Sequence, residues 1–218
     1  MLKRISISII IMLLSIYTLT FTRAADTLAI DTISACVNKN LPCGWKKFKS
    51  DNGVSIHHDS DNCYIHLKSE NDVQGIGKGF TFEVKSYPLL NWRWRANTLP
   101  RSGQENVKKR NDSALGVYVF FKGGYPFGQV IKYVWSSTLP IGTMVKSPYS
   151  SKTMILVIES GGKDLNKWIS EERNLLDDYQ KAFGSMPPAA RGIAIMTDSD
   201  NTHSSAIADY DDFYVTRK

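Results

Sequence analysis

Carboxylate and amide side chains crowd one loop near the end of the chain, between two apolar, strand-like runs. Asp198, Asp200 and Asn201 lie in this loop, and Asp209 and Asp211 follow it. Oxygen ligands at this density suit a hard cation, a ligand rich in hydroxyl groups, or a turn fixed by Asx hydrogen bonds. We expect no cofactor other than a structural calcium ion, for which the predicted ligands are Asp198, Asp200 and Asp211.

Aromatic and arginine side chains alternate in a second run, Leu90–Ala96. Trp92 and Trp94 share one face of the predicted strand, and Arg93 and Arg95 share the other. The tryptophans could stack on sugar rings or belong to the core, and we favour the core because large apolar rings are costly to expose. Outward arginines suit carboxylate, sulfate or uronate groups. The predicted ligand-binding residues are Arg93, Arg95, Tyr118, Trp135 and Trp168.

Acidic side chains also gather beside a predicted helix. Paired carboxylates act as acid and base or nucleophile in glycoside hydrolysis when they lie roughly 5–10 Å apart. We favour the simpler alternative, in which Arg173 pairs with a neighbouring Asp and the other acids begin the helix. The chain has no GxSxG, HExxH, Walker or Rossmann motif, so no reaction is indicated. The candidate catalytic residues are Glu171, Glu172, Asp177 and Asp178.

Short apolar runs separated by Gly, Pro, Asn and Asp must position these residues. Their number and spacing predict a mainly β protein, an antiparallel β-sandwich or jelly roll, rather than an alternating βαβ fold. One short helix is predicted near residues 174–183, where Gly184 and two prolines end a run with helical spacing. The predicted strands are Val54–Ile56, Cys63–Leu67, Gly79–Val84, Leu89–Ala96, Leu115–Phe121, Gln129–Trp135 and Met154–Glu159.

The first residues predict export. Lys3 and Arg4 precede the uncharged stretch Ile5–Phe21, and a small-x-small cleavage pattern, Thr22-Arg23-Ala24, follows. Residues 1–24 are therefore predicted to be a signal peptide, with a retained membrane anchor as the alternative. The mature protein is predicted to be periplasmic or secreted, without a stable membrane span. Residues 25–44 are predicted to be irregular, and 45–218 to form a single β-sandwich domain.

Charge and cysteine content restrict the partners further. Loss of the leader removes three of the 27 basic residues and leaves the 21 acidic ones, so the net charge falls from +6 to about +3. The basicity therefore gives little support for nucleic-acid binding. In an oxidising compartment two of three cysteines can pair, and both Cys36–Cys43 and Cys43–Cys63 fit the spacing.

A series of motifs occurs in one order along almost the whole mature chain: Tyr87–Arg95, Val117–Phe121, Tyr133–Trp135, Trp168–Arg173, Asp178-Tyr179, Phe183-Gly184, Pro187-Pro188 and Ile195–Thr202. The series resembles a bacterial family known as domain of unknown function 3047. The resemblance implies an exported, single-domain protein and supplies no activity. The chain departs from the family pattern at Gly116, where an arginine is usual, and at Asp211-Asp212, where Gly-Asp is usual.

Three functions are compatible with these observations. The first is a non-catalytic exported β-sandwich that binds carbohydrate or another polar component of the cell envelope. The alternatives are a polysaccharide hydrolase or lyase that uses paired carboxylates, and a structural or assembly protein without a small ligand. Burial of the tryptophans distinguishes them, because exposed rings favour sugar binding.

Overall fold

The fold is taken from a computed structural model, which describes residues 26–31, 37–38, 41–49, 53–60, 62–121, 123 and 128–218. The predicted signal peptide, residues 1–24, lies outside these ranges. The strands in chain order are β1 (Thr27–Ala29), β2 (Val37–Asn38), β3 (Leu41–Pro42), β4 (Trp45–Lys47), β5 (Val54–Asp59), β6 (Asn62–Glu70), β7 (Val73–Phe82), β8 (Leu89–Thr98), β9 (Leu115–Phe121), β10 (Val130–Ser136), β11 (Met144–Ser147), β12 (Ser150–Ser160), β13 (Ile169–Asn174), β14 (Ala190–Asp198) and β15 (Ser205–Thr216).

Two sheets stack face to face and confirm the predicted sandwich. The smaller sheet has the order β13-β8-β15-β6-β5, with β1 added beside β15. The larger sheet has the order β11-β12-β10-β9-β14-β7-β4. Described neighbours are antiparallel except for β10 and β12, which run parallel, so the larger sheet is mixed rather than purely antiparallel.

Large aromatic rings fill the space between the sheets. Trp92 and Trp94 point inward from β8, as the alternation predicts, and meet Tyr133 and Trp135 of β10. The ring centroids lie 5.5 Å apart for Trp92 and Tyr133, and 6.2 Å apart for Trp94 and Trp135. All four rings are buried, which confirms the core interpretation of the two tryptophans on β8.

The predicted helix is confirmed as α1 (Leu175–Phe183). The Asn174 side chain begins it by accepting hydrogen bonds from the backbone N–H groups of Leu176 and Asp177. Gly184 ends it in the left-handed conformation, with φ of 70°. The helix therefore follows β13 directly and fixes the side chains at the junction.

The amino-terminal segment departs from the irregular structure predicted for residues 25–44. Thr27–Ala29 pairs with the end of β15, and Val37–Asn38 pairs with Leu41–Pro42. Cys43 is disulfide-bonded, whereas Cys63 is a free thiol, so the alternative Cys43–Cys63 pairing is wrong. Cys36, the partner in the other predicted pairing, lies outside the described residues.

Candidate functional site

Trp135 lies in the core and not at a ligand-binding surface, so its predicted role is wrong. Its side chain is 0% exposed, and its indole N–H donates to the backbone carbonyl of Gly161 at 3.0 Å. The residue alternation of β10 gives the physical reason, because Trp135 shares its face with Tyr133 and Ile131. No ring face is left for a sugar.

Three other predicted ligand residues meet on the outer face of the smaller sheet. Arg93 and Arg95 point outward from β8, and the ring of Trp168 covers both guanidinium groups at 4.9 and 4.7 Å from its centroid. Arg93 donates to Asp211 at 2.6 Å, and Arg95 donates to Asp209 at 2.7 Å. Each arginine is therefore already neutralised within the protein, which leaves little free positive charge for an anionic ligand.

Asp209 is the most heavily bonded acid of this face. Its carboxylate contacts His66, Arg95 and Asn97, each at 2.7 Å. Burial raises the pKa of Asp209, but these three contacts outweigh burial and hold the pKa below its ordinary value. The outer face of the smaller sheet thus carries a row of side-chain ion pairs in fixed positions.

A groove of about 420 Å³ crosses the outer face of the larger sheet. On β9, Val117 and Val119 point into the core, so Tyr118 and Phe120 point outward into the groove. Their rings are nearly parallel, at an interplanar angle of 13° and a centroid separation of 6.3 Å. The side chains that line this aromatic groove are Phe48, Tyr118, Phe120, Val130, Thr153, Ala194 and Met196.

Phe48 enters the groove because glycine leaves it room. A Cβ atom at Gly75 would lie 2.7 Å from the Phe48 ring and 2.9 Å from the backbone oxygen of Ile195. The Phe48 side chain nevertheless remains 53% exposed. Large exposed apolar groups beside other aromatic rings are typical of binding surfaces.

A buried cation lies at one end of the aromatic groove. Lys132 is directly opposite Tyr118 in the pairing of β9 with β10, and its ammonium lies 5.3 Å from the Tyr118 ring centroid. Burial lowers the pKa of Lys132, but Tyr118, Asp198 and Glu105 together raise it above its ordinary value. The aliphatic part of Lys132 passes over Gly116, where a Cβ atom would come within 3.2 Å of it.

The Asp-rich loop lies at the same end of the groove. The carboxylates that come together there are not the three that were predicted to bind the cation. Asp112, Asp198 and Asp200 bring carboxylate oxygens within 4.8 Å of one another. Asp211 is on the outer face of the smaller sheet beside Arg93, so its assignment to the cation site is wrong. Asp112 accepts hydrogen bonds from the backbone and hydroxyl of Thr202, at 2.7 and 2.6 Å, and so holds the loop closed. The calcium ion stays a prediction.

Asp198 belongs to the polar end of the groove and has a strongly shifted pKa. Burial, followed by the charges of Asp112 and Asp200, raises its pKa to about 7, against the opposing effect of Lys132. Lys132 and Asp198 are the next outward-facing positions after Val130 and Met196, which line the groove. We call Lys132, Asp198 and the Tyr118 hydroxyl the polar wall that borders the otherwise apolar groove.

The four candidate catalytic acids differ in exposure and in partners. Glu172 and Asp177 are exposed, whereas Glu171 points toward the core and accepts a hydrogen bond from the Trp94 indole at 3.1 Å. Asp178 is buried, and Arg173 donates to both of its oxygens, at 3.0 and 2.7 Å. This ion pair confirms the prediction that Arg173 pairs with a neighbouring Asp at the strand-to-helix junction. Because Arg173 occupies both oxygens, Asp178 is not available as a free acid or base. The paired-carboxylate mechanism therefore loses its basis.

Glu171 and Asp178 nevertheless line one pocket of about 290 Å³, at the open edge of the sandwich between β13, α1 and β12. We call it the edge pocket. Burial raises the pKa of Glu171 to about 7, and the nearby Glu159 adds to the shift. The side chains and backbone that line it belong to Ile141, Gly142, Thr143, Met144, Leu156, Val157, Ile158, Glu171, Arg173, Asp178 and Lys181.

The raised pKa of Glu171 predicts a pH-dependent stability difference between the wild type and a Glu171→Gln variant. The folded state keeps the proton more tightly than the unfolded state, so the contribution of Glu171 is complete below about pH 4 and is lost as the pH rises through about 7. We expect the wild type to lose about 2 kcal/mol relative to the variant across this range, after allowance for partial solvent screening. Urea unfolding at pH 4, 5.5, 7 and 8.5 measures the difference; a difference that stays constant contradicts the assignment.

Sequence reasoning missed most of the groove. Phe48, Phe120, Lys132 and Met196 were not among the predicted site residues, and only Tyr118 was. One signal was present: Lys132 is a lone charge inside an apolar strand, and a buried charge requires a partner. Phe48 and Met196 gave no such signal, because they reach the groove from distant parts of the chain.

The fold and these two outer faces define a mixed β-sandwich protein with an aromatic groove and, in its described part, one α-helix. The chain belongs to a family of proteins of unknown function, DUF3047, whose model matches residues 42–214. No curated protein matches the chain. Within the described residues, no helix combines the length and apolar character needed to cross a membrane.

The chain is similar to several solved structures, at low identity and with TM-scores below 0.5. A family 11 carbohydrate-binding module from Clostridium thermocellum matches with a TM-score of 0.46 and 7% identity, covering 90% of this chain and 97% of the module. The family 11 xylanase from Neocallimastix patriciarum matches with a TM-score of 0.43 and 15% identity, covering 79% and 96%. A Cel12A cellulase derived from the Rhodothermus marinus enzyme matches with a TM-score of 0.44 and 10% identity, covering 80% and 92%. TM-scores below 0.5 at these sequence identities carry no information on the function of this chain.

Proposed function

We propose that the protein is exported and binds carbohydrate in the aromatic groove of the larger sheet, without catalysing a reaction. The observation that carries the proposal is the pair of nearly parallel rings, Tyr118 and Phe120, open to an apolar groove that the polar wall borders. Sugar rings present an apolar face of C–H groups and a rim of hydroxyl groups. A groove with aromatic faces and a few fixed polar groups matches both.

The polar wall supports the same conclusion. Lys132 is buried, its ammonium lies 5.3 Å from the centroid of the Tyr118 ring, and its charge acts on Asp198. Polar groups that are fixed before binding lose little conformational entropy when a ligand arrives. The polar groups on the outer face of the smaller sheet are also fixed, but Arg93 and Arg95 are already paired with carboxylates and covered by Trp168, so they are not available to a ligand.

Affinity electrophoresis through gels that contain peptidoglycan fragments, capsular polysaccharides or β-linked glucans tests the proposal. We expect retardation in at least one gel for the wild type. Phe48→Ala and Phe120→Ala should each weaken binding roughly tenfold, equivalent to about 1.4 kcal/mol, because each removes one ring face.

The matched control is Trp168→Ala, which removes an aromatic ring from the opposite outer face. This variant should migrate as the wild type does in every gel. Failure of all the gels to retard the wild type would count against carbohydrate binding. Loss of retardation in Trp168→Ala, with the groove variants unaffected, would move the site to the smaller sheet.

A further inference from the structure

We propose that the edge pocket is a second binding site, and that it takes a small organic monocarboxylate of about the size of a hexuronic acid. The pocket lies between the two layers, where Leu156 and Ile158 of β12 point inward, whereas the aromatic groove lies on the outer face of the larger sheet. It is therefore independent of the aromatic groove and of the proposed function.

The position of the pocket explains why a cavity exists there. β13 is the edge strand of the smaller sheet, and β11 and β12 end the larger sheet, so the two layers are open between them. Met144, Leu156 and Ile158 supply an apolar wall from the larger sheet, while α1 and β13 supply the polar side chains. A volume of about 290 Å³ is at the lower end of the range of small-molecule pockets.

The charges of the pocket favour one negative charge on the ligand. Arg173 and Asp178 cancel each other through their two hydrogen bonds, at 3.0 and 2.7 Å. Lys181 also lines the pocket, and within the described residues it forms no ion pair. While Glu171 is protonated, the Lys181 ammonium is thus the uncompensated charge among the lining side chains, which suits a carboxylate better than a phosphate dianion.

Glu171 completes the site as a hydrogen-bond donor. One of its oxygens accepts from the Trp94 indole, so the carboxyl group is held in place. In the protonated form it can donate to a ligand carboxylate beside Lys181. The charged groups that face it are Glu159 of β12, Arg173 of its own strand, and Asp178 and Lys181 of α1.

Isothermal titration of the wild type with galacturonate, glucuronate, galactose, glucose and inorganic phosphate tests this inference. We expect a uronate to bind at pH 6, the neutral sugars and phosphate to bind at least tenfold more weakly, and uronate affinity to fall about tenfold by pH 8 as Glu171 loses its proton. Lys181→Ala, on the exposed side of α1, should weaken uronate binding at least tenfold.

The Glu171→Gln variant separates a role in binding from a role in folding. An amide donates a hydrogen bond at every pH, so this variant should keep uronate binding and lose its dependence on pH. Glu172→Gln, one residue away on the opposite face of β13, should behave as the wild type. Equal affinity for uronates and neutral sugars, no uronate binding at all, or unchanged affinity in Lys181→Ala would overturn the inference. Phe120→Ala should leave uronate binding intact, which distinguishes this site from the groove.

Discussion

Replacing Trp135 with alanine is expected to lower the free energy of unfolding by about 4 kcal/mol. The ring is fully buried between the sheets, where it packs against Trp94 at a centroid distance of 6.2 Å. Its loss leaves a large cavity and removes the donor that satisfies the Gly161 carbonyl. Urea unfolding followed by far-ultraviolet circular dichroism measures the change.

The control for this prediction is Trp168→Ala. Trp168 is only partly buried, and it covers arginines that keep their carboxylate partners when the ring is removed. We expect a loss of about 1 kcal/mol or less. If Trp135→Ala costs no more than Trp168→Ala, the packing of the core described above is incorrect.

Replacing Asp178 with alanine is the second change for which we expect a large loss, about 3–5 kcal/mol. Asp178 is buried, accepts two hydrogen bonds from Arg173, and accepts a third from the Tyr133 hydroxyl at 2.9 Å. The alanine variant leaves a guanidinium and a phenol without their partner at the base of α1. Thermal unfolding and, as a second measurement, chemical denaturation of the wild type and the variant measure this loss of stability.

Asp177 provides the matched control, because it is the preceding residue of the same helix and is exposed. Its carboxylate accepts one hydrogen bond, from the Asn174 side chain at 2.7 Å. We expect Asp177→Ala to cost about 0.5 kcal/mol, the value of one favourable charge near a helix start. Similar losses for both variants would contradict the assignment of Asp178 as the buried anchor of the junction.

Local patterns in the sequence predicted most of the architecture. The alternation in Leu90–Ala96 placed Trp92 and Trp94 inward and Arg93 and Arg95 outward, because side chains of a strand point to opposite faces. The run before Gly184 predicted the helix, since its spacing and its end signals agree. The start of β7 at Val73 was missed, because Gly75 and Gly77 have low strand propensity and are there to accommodate Phe48.

The residues of the site could not be predicted from their neighbours in the sequence, because contacts between distant segments decide which residues belong to it. Trp135 lies between Val134 and Ser136, so the alternation around it does not say which face is buried, and the facing position of Trp94 decides that it is core. Asp211 is close to Asp198 in sequence, yet β14 and β15 lie in different sheets, so the two acids end on opposite outer faces. The cation cluster instead recruits Asp112 from a segment about 90 residues earlier.

The central claim is that carbohydrate occupies the aromatic groove, and nuclear magnetic resonance with isotopically labelled protein tests it most directly. Short β-linked oligomers of glucose, xylose and N-acetylglucosamine serve as probes, added one at a time. We expect chemical-shift changes for the backbone amides of Phe48, Tyr118, Phe120 and Met196, and none for Arg93, Arg95 or Trp168. Changes confined to the latter three residues, or the absence of any change with all the probes, would contradict it.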